Sequence, residues 1–433
     1  MENRPGKRKQ MIVLVLIAAI LIISALTLGC AEKKEEAKEP IKIGVLAPMT
    51  GAPARAGNAM AKAAEMAEED INAKGGLLGR PVEIIVYDTE DKPETGKLVA
   101  ERAILQDGVV ALAGIFRSEV SMVVAEVAAE NKVPLVIGTA QTPKLSKLVE
   151  EDYEKYKYVF RATTNATILG NQLTNFIMDY LAPKYGVKKV AFLTEDVLWA
   201  RGLTAIETKR LESKGFEVKS WLIPLGVTDI PEMKEMEAWG ADVIFPVFSS
   251  DNGYLVTRLY TEQKIDAILL GVNNPIASPE AWEKTEGRAE FETTGFAAPV
   301  IKYPVTDEVV PWTEKYVSKY GVEGINQAAD TYEALQVIFQ AIEKAGTTDA
   351  DKLVQVMEEN EFNVLRGKVK FSKKNHDHMA WLGPPYKVDS PLGGLVGQWQ
   401  KVDGTPKIVV VWPQPIGNPD DWKPAPWITI PRP

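Results

Sequence analysis

Few residues in this 433-residue chain have the types and spacing that catalysis needs. The two histidines, His376 and His378, flank Asp377 in the run KKNHDH. Alternate His/Asp spacing can hold a metal ion. The neighbouring lysines and the lack of further ligands instead favour a solvated turn between strands. The one cysteine, Cys30, allows no intramolecular disulfide. The chain contains no GxxxxGK[ST] phosphate loop, no HExxH and no GxSxG. The glycines of Gly75-Gly76-Leu77-Leu78-Gly79 follow a helical pattern and precede a strand, the reverse of a dinucleotide fingerprint. Acidic pairs such as Glu68/Glu69 and Glu358/Glu359 fall on polar helix faces. No enzyme, metal or cofactor is expected.

Binding chemistry is better represented. Gly114-Ile115-Phe116-Arg117-Ser118 joins an apolar strand to a helix, and Ser118 suits the N-cap. The free N–H groups of a first helical turn attract anions. Gly138-Thr139-Ala140-Gln141-Thr142-Pro143 repeats the arrangement, with Thr142 as cap and Pro143 in the first turn. Two such loops at adjacent strand ends would form one concave polar rim. Arg117, within the first of these loops, and Arg55 would stand near the cleft so formed and would suit an organic anion.

The elements that must hold these loops are strands and helices in alternation. Ile41–Ala47 is a short apolar run. From Asn58 the period becomes helical, with Met60, Ala63, Ala64, Ala67 and Ile71 on one face. Val82–Val86 is a second strand, so Ile41–Asp88 forms a β-loop-α-β unit whose loop lies at a strand's carboxyl end, where parallel sheets bind ligands. The alternation continues through strands at 109–113 and 134–137, then resumes after Tyr158 with strands at 189–193, 216–223, 242–248 and 267–271. Two similar α/β lobes are the simplest reading. Helical patterns at 311–320, 327–345 and 349–360 follow, then strands at 364–371, 394–402 and 407–411. The last stretch, 413–433, has seven prolines, Trp422 and Trp427, and reads as an extended surface tail.

Composition separates the ends from the body. Net charge is −9; residues 1–30 carry four basic residues against one acidic, which leaves −12 on the remainder. An acidic body without a Lys/Arg stripe argues against a nucleic-acid partner. Lys7, Arg8 and Lys9 precede thirteen uninterrupted apolar residues from Met11 to Ile23, and Gly29 precedes Cys30. This order resembles a lipoprotein signal cut before Cys30, whose thiol takes the lipid. Its departure is Thr27 where such signals usually carry leucine. The alternative is an uncleaved anchor over Met11–Leu28. Either places the body outside the cytoplasm and ties it to a membrane. Residues 31–40, AEKKEEAKEP, are a tether too polar to pack.

A resemblance sharpens this. PMTG after the first strand, followed by EDINAKGGLLGRPVEIIVYD, is similar to the opening of the periplasmic solute-binding proteins of the leucine/isoleucine/valine type. These serve ABC importers, and weaker echoes continue to about Trp412. The resemblance implies two Rossmann-like lobes of the type I fold, joined by a three-segment hinge near Arg161, Gly295 and Phe371. Its implied layout is signal 1–29, tether 30–40, first lobe 41–161 and 296–371, second lobe 162–295 and 372–412, and tail 413–433.

It also implies ligand-binding positions. Ser118, Thr139, Ala140 and Gln141 would grip a carboxylate and help hold an ammonium. From the facing lobe, Trp199 takes the place of an aromatic residue. Stacking on a ligand and packing in the core are both open to it. Ser249 stands at a tyrosine position. Asn273 stands where the family carries the ammonium-binding acid, a departure that leaves the ligand open. The function implied is an extracytoplasmic binding protein, monomeric, that delivers a branched-chain or other neutral amino acid, or an amide-like solute, to an ABC permease. The alternatives are an organic anion in the same fold, or an extracellular sensor without a transporter.

Overall fold

The computed structural model describes residues 38–321, 324–379 and 395–430. The signal 1–29, the lipidation site Cys30 and most of the tether lie outside the described residues. Among those described, no helix is long and apolar enough to cross a membrane.

The first sheet has the order β2-β1-β3-β4-β5, all parallel, from β1 (Ile41–Ala47), β2 (Val82–Asp88), β3 (Ala111–Gly114), β4 (Leu135–Ile137) and β5 (Val159–Arg161). The strands are near-continuous apolar runs because helices cover both faces. Ile43 pairs with Ile84 on one side and Ala111 on the other.

The second sheet repeats the plan as β7-β6-β8-β9-β10, from β6 (Lys189–Glu195), β7 (Glu217–Ile223), β8 (Val243–Phe248), β9 (Ile268–Asn273) and β10 (Thr293–Phe296). An antiparallel hairpin, β13 (Leu395–Val402) and β14 (Thr405–Trp412), extends it beyond β10. In both sheets the strand order reverses beside the first strand, the place where open α/β sheets receive ligands.

After β10 the chain returns to the first lobe. The helix Ile325–Ala345 lies on the helix Ala54–Asn72. Small buried residues on both sides, Ala59, Ala63 and Ala67 against Ala328 and Ala329, let the two backbones approach closely. A Cβ on Gly138, at the end of β4, would stand 2.9 Å from the carbonyl oxygen of Asp330. That glycine therefore seats the helix against the strand end.

Three expectations change at the carboxyl end. The strand expected over 364–371 is a hairpin, β11 (Glu361–Val364) with β12 (Gly367–Lys370). The KKNHDH run is no solvated turn and edges the first sheet, not the second. Arg161 donates from its backbone N–H to the His376 carbonyl at 3.0 Å, and His378 donates back to the Arg161 carbonyl at 3.1 Å. The His376 ring stacks on Phe160 with centroids 4.1 Å apart. Burial pushes the pKa of His376 down and that of His378 down to about 4. Among the described residues no group of three or more His, Cys, Asp or Glu side chains is placed to hold a metal.

The tail is the third. Trp422 is only 3 % exposed, and its Nε1 donates to Thr293 Oγ1 at 3.0 Å. Trp427 donates to the Ile265 carbonyl at 3.2 Å. The described part, to Ile430, is therefore a strap on the second lobe, held by its tryptophans.

Candidate ligand-binding site

The loops at the carboxyl ends of β3 and β4 face those after β6, β8 and β9 across a cleft. The gap between them amounts to about 470 Å3, counting the part open to solvent. Phe116, Arg117, Ser118, Thr139 and Gln141 line it from the first lobe, Trp199, Ser249 and Asn274 from the second. Asn326, Gln327 and Asp330 complete it from the first two turns of the helix Ile325–Ala345. An adjoining space of about 450 Å3 shares Gln141, Asn274, Asn326 and Asp330, and reaches Thr163, Thr164 and Arg366.

Ser118 opens the helix Ser118–Glu130 and is not its cap; the residue before it, Arg117, makes no side-chain cap bond. The Ser118 side chain is 1 % exposed and its Oγ has no partner within the protein. An unpartnered buried hydroxyl costs roughly 1–3 kcal/mol, which a ligand acceptor would recover. The first-turn N–H groups beside it are also without intrahelical partners. Thr139 is placed at the same rim, but its hydroxyl proton is committed to the Ile115 carbonyl at 2.5 Å. It can accept from a ligand and not donate. Ala140 is buried behind the rim and does not line the cavity. Gln141 lines both spaces.

Trp199 both lines the cavity and belongs to the second lobe's core; it is 6 % exposed. Its Nε1 donates to Ser249 Oγ at 3.3 Å. Ser249 Oγ in turn donates to Glu195 Oε2 at 2.7 Å. The same Glu195 oxygen accepts from the Ser249 N–H at 3.0 Å, and the other accepts from Ser250 N–H at 3.1 Å. The buried carboxylate at the end of β6 thus fixes the serine loop, and the loop fixes the indole. The Ser249 hydroxyl is thereby committed to Glu195 and to the Trp199 indole.

Two arginines and one asparagine are placed differently from expectation. The Arg117 guanidinium chelates the Asp91 carboxylate through Nε at 3.0 Å to both oxygens. Arg55 does not line the cavity; its guanidinium meets Glu280 of the second lobe at 2.9 Å. Neither offers an unpaired charge to a ligand anion. Asn273 ends β9, and its side chain turns into the second lobe, where Nδ2 donates to Glu292 Oε1 at 2.7 Å. Successive strand residues face opposite ways, so Asn274, one place on, faces the cleft.

An acid does reach the cleft, from a part of the chain that sequence reasoning did not connect to it. Asp330 accepts from Arg366, whose guanidinium also meets Glu333 through Nε at 2.9 Å and NH2 at 2.6 Å. Two carboxylates against one guanidinium leave the cluster net negative. Burial, with Glu333 adding to it, raises the Asp330 pKa to about 6 despite Arg366. The available signal was its position. Asp330 lies one turn before Ala334 on the apolar stripe that continues through Ile338 and Ala341, so an acid there is buried.

The cleft can therefore offer an unpartnered hydroxyl and the N-terminus of its helix to a carboxylate, an anionic cluster to an ammonium, and an aromatic wall. The comparisons with known proteins agree with this architecture. A family model described as Periplasmic binding protein matches residues 40–381. A Leu/Ile/Val-binding protein homologue of Brucella melitensis is 27 % identical over 327 residues, covering 75 % of this chain and 84 % of that protein. A leucine-binding protein from Thermotoga maritima superposes with a TM-score of 0.70 at 25 % identity, covering 88 % of this chain and 99 % of that one. An ABC-transporter solute-binding protein of Rhodopseudomonas palustris, solved with 3,4-dihydroxybenzoic acid, superposes with a TM-score of 0.71 at 21 % identity, covering 86 % of this chain and 96 % of that one. The chain belongs to the periplasmic binding protein family, with the two-lobed type I fold of its solute-binding members.

Proposed function

We propose that this protein captures a zwitterionic solute outside the cytoplasm, a branched-chain or other neutral α-amino acid, and delivers it to an ABC permease. Amide-like solutes, which offer a carbonyl oxygen and N–H donors without the two charges, are the neutral counterpart of this class. One observation carries the reading: Ser118, with an unpartnered buried hydroxyl, and Asp330, in a net-negative cluster, line the same cavity. A carboxylate binds at Ser118 and the first turn of its helix, the ammonium faces Asp330, and the side chain lies against Trp199. Asp330 does the work that the departure at Asn273 would otherwise leave undone. The protein acts as a monomer held to the membrane by lipid on Cys30.

A second reading, an aromatic organic acid, is favoured by Phe116 and Trp199 lining one cavity, and by the dihydroxybenzoate in the Rhodopseudomonas palustris protein. Against it, Arg117 and Arg366 in the cleft and Arg55 beside it are each already paired with carboxylate. An anion without an ammonium would add charge to an already negative site. A sensor without a transporter would use the same cleft.

Calorimetric titration after removal of co-purified solute tests the assignment. L-leucine, L-isoleucine and L-valine are compared with benzoate and 3,4-dihydroxybenzoate. Saturable binding of an amino acid is expected. Binding of a benzoate with all the amino acids inert would move the assignment to the second reading.

A further inference from the structure

One contact between the lobes involves neither the cavity nor a pair of surface charges. The helix Leu198–Glu212 starts without a cap of its own, since Val197 before it has no side chain that can accept. Its first N–H, on Leu198, donates to Glu119 Oε1 at 2.9 Å. Glu119 belongs to the other lobe, in the first turn of the helix Ser118–Glu130. Its carboxylate thus stands between two helix N-termini, its own and that of the facing lobe, and both dipoles favour a negative charge there. Its second oxygen is buried without a partner. The two residues in contact are immediate neighbours of Ser118 and Trp199, which line the cavity.

We propose that Glu119 is a trans-lobe helix cap: a positioning residue that stabilises the closed cleft and lowers the ligand's off-rate without touching the ligand. When the lobes part, Leu198 must exchange this acceptor for water, and the helix loses its cap. Removing a helix cap shifts an equilibrium by about 2- to 30-fold. The same factor should appear in closure, because the cap forms only in the closed state. The proposal rests on the solute-binding reading, adds that the two lobes open and close about their connecting segments, and does not depend on which solute binds.

Cross-linking measures closure without a ligand. A Cβ built at Gly202 lies 3.6 Å from Pro143 Cδ of the other lobe. Full-length protein carrying Cys30→Ser, Pro143→Cys and Gly202→Cys therefore joins its lobes under a fixed oxidant only when it closes. In this background Glu119→Ala should slow ligand-free cross-linking by about 2- to 30-fold. Glu119→Gln, which keeps an acceptor oxygen, should recover part of the rate. In the wild-type background Glu119→Ala should speed L-leucine dissociation by a similar factor. Unchanged cross-linking in Glu119→Ala, with or without a lower melting temperature, would overturn the proposal and leave Glu119 as a residue of its own helix. If wild-type protein binds a benzoate and none of the amino acids, the solute assignment fails while the cross-linking result still decides the role of Glu119.

Discussion

Asn273 donates to Glu292 at 2.7 Å inside the second lobe, where Thr257 donates to the other carboxylate oxygen at 2.6 Å. Both donors are neutral and the carboxyl is fully buried. Desolvation raises the Glu292 pKa from 4.5 to about 7. The folded state thus holds a proton that the unfolded chain releases, so the protonated carboxyl stabilises the fold fully below about pH 4.5. This contribution is lost as pH rises through about 7. Chemical denaturation of wild type should show stability falling over this window by up to roughly 3 kcal/mol. Glu292→Gln should flatten that fall. A variant as steeply pH-dependent as wild type would place the titration elsewhere.

Asp330 titrates in the opposite functional sense. Its pKa of about 6 means that acidification below pH 6 removes the charge facing a ligand ammonium. Amino-acid affinity should fall by up to about tenfold per pH unit below that point. Asp330→Asn should weaken binding by about tenfold or more at pH 7.5 and show a flat profile from pH 5 to 8. Arg366 keeps Glu333 as partner, so the variant should remain folded. Calorimetric titration across pH separates this outcome from a site in which Asp330 plays no part.

Ser118→Ala removes a hydroxyl that has no partner within the protein. Its melting temperature should hold or rise, while affinity for the solute falls about tenfold. A normal affinity would show that the hydroxyl does not contact the ligand.

Trp199→Ala should affect both quantities, since the indole belongs to the core and to the cavity wall. A loss of roughly 3–5 kcal/mol in stability is expected, together with a faster ligand off-rate. Thermal melts and stopped-flow dissociation measure the two separately. Loss of stability alone would leave Trp199 as a packing residue.

Asp377 neutralises Arg161, which is 2 % exposed, at the point where the chain leaves the first lobe. Asp377 Oδ2 also accepts from Ser146 at 2.6 Å and from Asn165 at 3.0 Å. Asn165 in turn caps the first helix of the second lobe. Asp377→Ala leaves a buried guanidinium without its counter-charge and should cost roughly 3–5 kcal/mol in urea unfolding. Near-neutral behaviour would mean that water reaches Arg161 freely.

The sequence alone determined the alternating sheets, because buried parallel strands read as unbroken apolar runs and their helices as stripes of period 3.6. It also determined the two polar strand-end loops, since Ser118 and Thr139 stand directly after their strands. Local pattern carries both. What decided the rest was contact between distant segments. Asp330 enters the cleft only because the helix bearing it returns over β4, where Gly138 gives it room. Asn274 faces the cleft in place of Asn273 because side chains alternate along β9, a distinction finer than a motif's register can resolve. Arg55 and Arg117 look like anion receptors until tertiary structure brings Glu280 and Asp91 to them. The histidines read as a solvated turn from their polar neighbours, and the proline-rich tail as an extended stretch on the surface. The histidines and the tail tryptophans are buried because Phe160 and Thr293, far away in the chain, supply the surfaces that cover them. Composition sets what a segment can bury, and only the folded partners set what it does bury.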